Sequence, residues 1–340
     1  MGSRFLRGEL LVKVAVGLSG GVDSCVAAML LKESGHQVVG VTMSLGRSDE
    51  DVSLSETERA ARWLGVELKV FDFSSQWKCH VADYISDTYL SGRTPNPCVR
   101  CNEEVKMKLL PLAAFAQGCE MFATGHYARL DGGRLLRAVD RSKDQSYFLY
   151  RADRDILRRT VFPLGGMLKS EVRELARSMG LEVADKRDSQ DFCGGDAVAM
   201  VNAKDRMGNI VDVSGKVLGH HCGFWHYTIG KRRGLGIGGG IPYYVIGLDA
   251  LKNEVIVGFR EAALRTSFEI GSVVEFPGGL EGELSVKVRS AGEPKGPVVV
   301  TKSSESTATV SCREGIIGIA PGQSAVFYRG DEIVGGGIIQ

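Results

Sequence analysis

The stretch Gly17-Leu18-Ser19-Gly20-Gly21-Val22-Asp23-Ser24 determines more about this chain than any other. It follows an apolar run, Val12 to Leu18, that predicts a buried parallel strand, and it precedes a run from Cys25 to Glu33 with helical spacing of its apolar residues. The two adjacent glycines lack a Cβ, so backbone N–H groups can approach a phosphate closely, and the dipole of the following helix favours negative charge. The stretch therefore predicts an anion-binding turn between a strand and a helix.

The same turn excludes the best-known class of phosphate loop. It has no Gly-Lys-Ser/Thr ending, so it is not the loop that mononucleotide kinases and GTPases use. The run from Ser19 to Ser24 instead resembles the pyrophosphate loop of the N-type ATP pyrophosphatases, which cleave ATP between its α and β phosphates. This resemblance implies that all eight residues from Gly17 to Ser24 bind ATP.

Length and composition are those of a soluble protein with several domains. A chain of 340 residues is too long for one compact core, which predicts two or three domains. Hydrophobic residues make up 44% and charged residues 24% of the chain, and no apolar run approaches the roughly 20 residues of a membrane span. The N-terminus lacks the pattern of a signal peptide, so we expect a cytoplasmic protein without a membrane partner. The net charge of +1 gives no overall attraction to nucleic acid but leaves room for a local basic face.

The first part of the chain alternates between strand and helix patterns. Further strands are predicted at Val38–Met43, Glu67–Phe71 and Met121–Ala123, with helices between them. One of these helices, Ser55–Leu64, carries Ser55 and Glu58 at the spacing of a capping box. The alternation predicts a doubly wound parallel α/β sheet whose ligands bind at the carboxyl ends of the strands. Met43 and Gly125 fall at such ends, as does the glycine turn.

The chain changes character after about residue 200. Helical periodicity gives way to short alternating runs divided by Gly and Pro, which is typical of a small β-barrel. We therefore predict three domains: an ATP pyrophosphatase domain over residues 1–200, a small central domain over 201–265 and a C-terminal β-barrel over 266–340.

Eight cysteines in an intracellular chain argue against a disulfide framework and for thiol or metal chemistry. Cys98 and Cys101 form a Cys-x-x-Cys that follows a proline-stiffened loop, with Arg100 between the thiols. We expect a helix to begin just after this motif; a helix N-terminus and a neighbouring cation both lower the pKa of a thiol. Cys193 lies in a second polar turn, next to two glycines. Such residues suit either a reactive thiolate or a metal.

The motifs, taken together and in order, resemble the tRNA-specific 2-thiouridylase family of bacteria and mitochondria. The resemblance spans nearly the whole chain and rests on seven segments: SGGVDS (19–24), GRTPNPCxxCN (92–102), TGHYAR (124–129), KDQSYFL (143–149), FPLG (162–165), DSQDFC (188–193) and the long run from Gly215 to Gly236.

The resemblance implies an enzyme that adenylates the C2 oxygen of a uridine with ATP, releasing pyrophosphate, and then replaces that oxygen by sulfur, releasing AMP. In this reaction Cys193 carries a persulfide and Cys101 is the partner nucleophile that ends up bonded to it. Asp23 helps to hold Mg²⁺ against the phosphates, and Met43 and Gly125 border the adenine and ribose. A cysteine desulfurase or a sulfur-relay protein is the implied sulfur donor.

For tRNA, the resemblance implies that the target base lies against Asn96, Pro97 and Cys98. Recognition of one loop nucleotide suits an enzyme that flips its base into a pocket. The remaining implied tRNA contacts are His126, Lys143, Asp144, Gln145, Arg289, Ser290 and Gln323. The basic run from Lys231 to Arg233 is either a further phosphate contact or an ordinary solvated surface.

Two features leave alternatives open. Many family members carry Asp where this chain has Cys98, so Cys98, Cys101 and Cys193 could together hold an iron–sulfur cluster in a related enzyme that thiolates another acceptor. His220, His221 and Cys222, with His226 four residues on, superficially resemble a metal site. Neighbouring residues in a strand point to opposite faces, so we expect no metal there and none elsewhere on protein ligands alone.

Overall fold

A computed structural model describes residues 11–47, 50–181, 184, 197–238 and 240–340. The chain divides into two compact units. The N-terminal unit comprises Met1–Val81 and Cys98–Gly194, and the C-terminal unit comprises Ala82–Pro97 and Gly195–Gln340. The prediction of three domains is a finer division than this one and remains a prediction.

The elements before residue 180 run in this order: β1 Lys13–Gly17, α1 Val22–Glu33, β2 Gln37–Ser44, α2 Glu50–Leu64, β3 Leu68–Asp72, α3 Ser74–Trp77, α4 Asp83–Leu90, α5 Pro97–Cys101, α6 Leu110–Ala116, β4 Met121–Thr124, β5 Ala128–Asp131, β6 Arg134–Arg137, α7 Arg154–Arg158, β7 Thr160–Val161 and α8 Lys169–Ser178. Wide π-helical turns, Lys78–Ala82 and Asn102–Leu109, connect α3 to α4 and α5 to α6.

The later elements are mostly strands: β8 Gly208–Asp212, β9 Val217–His221, β10 Tyr244–Asp249, β11 Glu254–Gly258, α9 Arg260–Ala263, β12 Leu264–Glu275, β13 Leu284–Lys287, β14 Lys295–Lys302, β15 Thr307–Ile317, β16 Ser324–Arg329 and β17 Glu332–Ile339. Among the described residues, 3₁₀ turns lie at Ser146–Leu149, Ala197–Met200 and Phe224–His226.

The core of the N-terminal unit is a five-stranded parallel sheet in the order β3-β2-β1-β4-β7. Its central strand is fully buried because Val14, Ala15 and Val16 have no solvent exposure, as a strand covered by helices on both faces requires. The strand order reverses between β1 and β4, where Gly17 pairs with Thr124. In open α/β sheets ligands bind at the carboxyl ends of the strands at this point. The doubly wound sheet is confirmed, and its switch point brings the glycine turn next to the segment after β4.

Two expected helix starts were wrong. Helix α2 begins at Glu50, so Ser55 lies inside the helix, where its hydroxyl donates to the carbonyl of Val52 instead of capping an N-terminus. Helix α5 begins at Pro97 and not after the Cys-x-x-Cys. Proline is favoured at a first helical position because the N–H that it lacks would have no partner there. Both cysteines of the motif are therefore helical.

The C-terminal unit contains two β structures. The first is a four-stranded sheet in the order β10-β11-β8-β9, which packs around Ile210, Trp225 and Val255. The second is a closed six-stranded antiparallel barrel in the order β12-β15-β14-β13-β16-β17, which closes where β12 pairs with β17. The predicted β-barrel is confirmed. Within the described part of the chain, no helix has the length and apolar character needed to cross a bilayer.

Candidate active site

The glycine turn is held by hydrogen bonds within itself. Gly20 has a φ of +71°, which disfavours any residue with a Cβ, and Gly21 precedes the first residue of α1 in an extended conformation. The Ser24 hydroxyl donates to the carbonyl of Gly21 at 3.0 Å and accepts from the N–H of Ser19 at 3.2 Å. These bonds curl the chain around the start of α1. The result is the compact turn at a helix N-terminus that suits an anion.

Asp23 has two partners that the sequence did not indicate. The ammonium of Lys169, the first residue of α8, lies 2.7 and 2.8 Å from the two carboxylate oxygens. The hydroxyl of Tyr127 donates to one of the same oxygens at 2.9 Å. The Lys169 side chain is 9% exposed and that of Asp23 is 31% exposed, so the ammonium is nearly buried while the carboxylate is partly accessible to solvent. This places a buried cation directly beside the predicted phosphate turn.

The segment after β4 approaches the same turn very closely. A Cβ on Gly125 would lie 2.9 Å from the carbonyl carbon of Asp23 and 2.9 Å from the backbone nitrogen of Ser24. Real side chains do not tolerate such distances, so this position accepts only glycine without a rearrangement. Met43 lies at the end of β2, where it pairs with Phe71 of β3. The structure thus brings Gly125 onto the turn and Met43 to the same edge of the sheet.

The surroundings of His126 favour a neutral imidazole. Its Nδ1 atom is 2.7 Å from the hydroxyl of Thr124, and its ring meets Phe162 edge to face. Desolvation by the surrounding chain, with a smaller contribution from the charge of Lys106, lowers the pKa of His126 to about 3. A neutral imidazole can donate a hydrogen bond to a nucleobase or accept one from it, but it carries no positive charge that would attract a phosphate.

Cys98 and Cys101 differ sharply in accessibility. Cys98 lies in the first turn of α5 and is half-buried, whereas Cys101, one turn on, is 1% exposed. The guanidinium of Arg100 pairs with Glu104 at 2.9 Å and with Glu103 at 3.2 Å. The predicted effect of Arg100 on the pKa of the two thiols remains a prediction.

The remaining cysteines differ in how far they are buried. Cys193, the predicted persulfide carrier, lies outside the described residues. Burial raises the pKa of the Cys25 thiol to about 11, so this thiol stays protonated and packs as a small apolar side chain. Cys119 and Cys312 are also buried, whereas Cys79 is exposed.

The predicted tRNA residues of the N-terminal unit differ in burial and in hydrogen bonding. The Asp144 side chain is 1% exposed and pairs with Arg137 at 3.3 Å, so its carboxylate serves the fold. The Gln145 side chain accepts from the N–H of Tyr127 at 3.0 Å. Lys143 is half-buried between the exposed residue Ser142 and Asp144. The tRNA contacts expected of Lys143, Asp144 and Gln145 remain predictions.

The C-terminal unit brings two predicted tRNA residues together. The side-chain amide of Gln323 donates to the carbonyls of Thr94, at 3.3 Å, and of Pro95. Asn96, next in the chain, is buried; its N–H donates to the Tyr84 hydroxyl at 3.2 Å. The loop that leads into α5 is therefore held by the barrel. Arg289 and Ser290 are exposed just after β13, and Pro97 is half-buried at the start of α5.

Family models match almost the whole chain. The description "tRNA methyl transferase HUP domain" covers residues 12–194, "tRNA methyl transferase PRC-barrel domain" covers residues 199–259, and "Aminomethyltransferase beta-barrel domain" covers residues 268–339. Among curated proteins, the tRNA-specific 2-thiouridylase MnmA of Geobacter metallireducens is 42% identical over 96% of this chain and 96% of its own length. The protein of the same name from Trichormus variabilis is 40% identical over 96% of this chain and 98% of its own.

Solved structures resemble only part of the chain. A 4-thiouridine synthetase crystallised with RNA and bound ATP is 20% identical, covers 52% of this chain and 43% of its own, and superposes with a TM-score of 0.38. A predicted subunit of a tRNA methyltransferase from Methanocaldococcus jannaschii is 24% identical over 49% of this chain and 75% of its own, with a TM-score of 0.36. Likenesses of this size support no argument about the site.

Proposed function

Because the chain belongs to the tRNA-specific 2-thiouridylase family, we propose that it is a tRNA-uridine sulfurtransferase that uses ATP to replace oxygen by sulfur at carbon 2 of the wobble uridine. The observation that supports this most directly is the anion-binding turn at the switch point of the sheet, flanked by Gly125 and by the Lys169–Asp23 pair. A turn of this kind, without the lysine and Ser/Thr of a mononucleotide loop, suits transfer of an adenylyl group rather than of a γ-phosphate.

In the first step, the C2 oxygen of uridine attacks the α-phosphorus of ATP and pyrophosphate departs. Backbone N–H groups of the turn and the dipole of α1 stabilise negative charge on the departing group. The Lys169 ammonium lies within 2.8 Å of Asp23 and adds positive charge beside the turn. It offsets the Asp23 carboxylate, which would otherwise repel phosphates.

ATP enters this reaction as its magnesium complex. The Asp23 carboxylate is 31% exposed, and oxygen ligands of this kind fit Mg²⁺. Asp23 is also paired with Lys169, so in this proposal both the Lys169 ammonium and the Mg²⁺ ion bring positive charge to the phosphates. Met43 and Gly125 border the adenosine in this proposal.

In the second step, the terminal sulfur of a persulfide on Cys193 attacks the activated carbon 2 and AMP departs. The Cys101 thiolate then attacks the inner sulfur of the adduct, forming a Cys101–Cys193 disulfide and leaving the second sulfur on uridine. A reductant restores both thiols, and a cysteine desulfurase or relay protein reloads Cys193. Since Cys101 is 1% exposed, this step requires α5 to shift.

A reconstituted reaction tests the proposal. Purified protein, tRNA, MgATP, cysteine and a cysteine desulfurase should give 2-thiouridine with one AMP and one pyrophosphate per product. The Asp23→Ala variant should reduce turnover at least about a hundredfold, the scale of losing a charge-stabilising group. ADP and orthophosphate as products would show that the assignment of the turn is wrong. Release of AMP without any thiouridine would favour a relative with another acceptor.

A second route uses an iron–sulfur cluster. Cys98 and Cys101 are three residues apart in α5, so both thiols lie toward one side of the helix, as two ligands of one cluster would. Cys193 would be the third ligand. Anaerobic purification decides between the routes: a stoichiometric cluster that is lost together with activity in Cys98→Ser supports this one, whereas a colourless active protein supports the persulfide.

A further inference from the structure

We propose that Asp205, Cys222 and His226 of the C-terminal unit form a binding site for one zinc ion. The sulfur of Cys222, a ring nitrogen of His226 and a carboxylate oxygen of Asp205 all lie within 4.8 Å of one another. The His226 Nε2 atom is 3.1 Å from the Asp205 carboxylate. The site is separate from the phosphate turn and from the thiols assigned to sulfur transfer, and it belongs to the unit that does not contain them.

The backbone brings Cys222 and His226 together by a tight turn. Strand β9 ends at His221, and a Cβ on the next glycine, Gly223, would lie 2.6 Å from the ring of Trp225. Only glycine therefore allows the chain to fold over this ring. Trp225 is 6% exposed and anchors the 3₁₀ turn that ends at His226. The spacing of the cysteine and the histidine is thus set by packing.

Asp205 reaches the same place through a backbone hydrogen bond. The N–H of Arg206 donates to the carbonyl of Cys222 at 2.7 Å, which holds the segment around Asp205 against the end of β9. Ligand atoms around a tetrahedral zinc ion stand roughly 3.3–3.8 Å apart, given metal–ligand distances of about 2.0–2.3 Å. A side-chain movement of about one ångström therefore closes the three donors onto an ion.

The two neighbouring histidines are engaged elsewhere. His220 Nδ1 is 3.1 Å from the side-chain oxygen of Asn209, on the exposed face of the strand. The buried His221 accepts the N–H of Gly223 at 3.0 Å. The proposed site therefore departs from the sequence-based expectation of no metal in this region, since it uses Cys222 and His226 without these two histidines. The three donors instead come from the loops that flank the strand.

The chemistry of the donors selects zinc over magnesium and calcium. Thiolate, imidazole and carboxylate are the three ligand types of zinc sites, whereas magnesium and calcium take oxygen donors almost exclusively. A thiolate and a carboxylate together neutralise the two charges of the ion, and the Cys222 proton passes to solvent on binding. The ammonium of Lys231 donates to the backbone carbonyl oxygen of His226 at 3.0 Å, so this hydrogen bond does not involve the imidazole ring that would bind the ion.

The site is open to ions in solution. Cys222 and Asp205 are exposed, and the His226 side chain is 34% exposed. Three protein ligands leave the fourth position of a tetrahedron to water. An ion here would join the loop before β8 to the loop after β9, and the segment that follows carries the basic run from Lys231 to Arg233.

Cobalt substitution tests the site in the intact protein. The metal-free, reduced protein is titrated with Co²⁺, which takes zinc geometry and is coloured when a thiolate binds it. We expect a thiolate-to-cobalt charge-transfer band and d–d bands typical of a tetrahedral ion, which one equivalent of Zn²⁺ abolishes. Cys222→Ser should remove the charge-transfer band, and His226→Asn and Asp205→Asn should each weaken binding about tenfold or more, within the range for loss of a metal contact.

Matched cysteine variants assign the bands to this site. Cys79 is an exposed cysteine of the N-terminal unit, so Cys79→Ser should leave the spectrum unchanged. Bands that persist in Cys222→Ser and disappear in Cys101→Ser would place the metal at the other thiols and overturn the proposal. The absence of any charge-transfer band would overturn it as well. Since the readout is a spectrum, neither result depends on sulfurtransferase activity.

Discussion

Lys169 and Asp23 are 146 residues apart in the chain, yet they form a close ion pair within the N-terminal unit. The ammonium is almost fully buried, and such a charge is tolerated only when it is paired and hydrogen-bonded. Tyr127 adds a hydrogen bond to the carboxylate and lies 5.6 Å, measured to its ring centre, from the ammonium. At the scale of single residues, this group of three sets the charge beside the phosphate turn.

We predict that Lys169→Met reduces pyrophosphate release about a hundredfold or more, because it removes a positive charge that acts on the departing phosphates. Lys169→Arg, which keeps the charge, should retain more of the activity. Arg158→Met serves as the control, since Arg158 forms an exposed ion pair with Asp155. Single-turnover assays measure the effect, with thermal unfolding run alongside. Wild-type rates in a folded Lys169→Met protein would contradict this role for Lys169.

A second prediction at this scale concerns pH. The pKa of His126 is lowered to about 3, chiefly by desolvation, so its imidazole is neutral from pH 5 to 8. The unfolded chain binds this proton near pH 6.5. Between about pH 3 and 6.5 the unfolded state therefore holds more protons, and the contribution of His126 to the free energy of unfolding rises with pH.

NMR of the imidazole C–H groups measures this directly, with His126→Gln identifying the resonance. The His126 signal should keep the position of the neutral ring down to pH 5. A titration midpoint near pH 6.5 would show that the ring is charged readily and would contradict the predicted effect of burial.

At the scale of elements, the segment after β4 lies so close to the start of α1 that Gly125 has no room for a side chain. We predict that Gly125→Ala weakens ATP binding about tenfold or more, because its methyl group would overlap the backbone of Asp23 and Ser24. Overpacking of this kind costs about 1–3 kcal/mol, and about 1.4 kcal/mol corresponds to a factor of ten.

Calorimetry with a non-hydrolysable ATP analogue measures the affinity. Gly238→Ala is the matched control, since a Cβ there meets open space. If Gly125→Ala binds the analogue as tightly as Gly238→Ala does, the adenosine does not depend on this close approach.

At the scale of the whole molecule, the division into two units cuts across the order of the chain. Residues 82–97 belong with the C-terminal unit although they lie between two segments of the N-terminal one. Gln323 and Asn96 hold the end of this segment through hydrogen bonds to Thr94 and Pro95 and to Tyr84. The loop that ends at Pro97 is therefore held within the C-terminal unit by residues of the barrel and of α4.

We predict that Gln323→Met lowers tRNA thiolation about tenfold and leaves ATP affinity unchanged. The substitution keeps the side-chain length but removes two hydrogen bonds, each worth about 1 kcal/mol. Gln76→Met, on the exposed side of α3, is the control. Thiouridine yield and ATP binding are measured on the same preparations. An equal loss of both would mean that the effect is general destabilisation and not positioning of the loop.

The sequence by itself determined the class of the sheet, the phosphate turn, the barrel and the family, since each depends on short-range patterns or on the order of motifs. Alternating strand and helix periods and a glycine turn are readable within a window of about 10–20 residues. The helix starts were predicted less accurately. The two helices begin at Pro97 and Glu50, whereas the apolar periodicity predicts starts further along the chain.

Only the tertiary structure decided which side chains meet. The pairing of Lys169 with Asp23, the bonds from Gln323 to the loop before α5 and the cluster of Asp205 with Cys222 and His226 depend on how distant segments pack. The burial of Cys101 likewise depends on neighbours that no local pattern identifies. Periodicity specifies the faces of an element, whereas the partner of each face follows from strand order and packing across the fold.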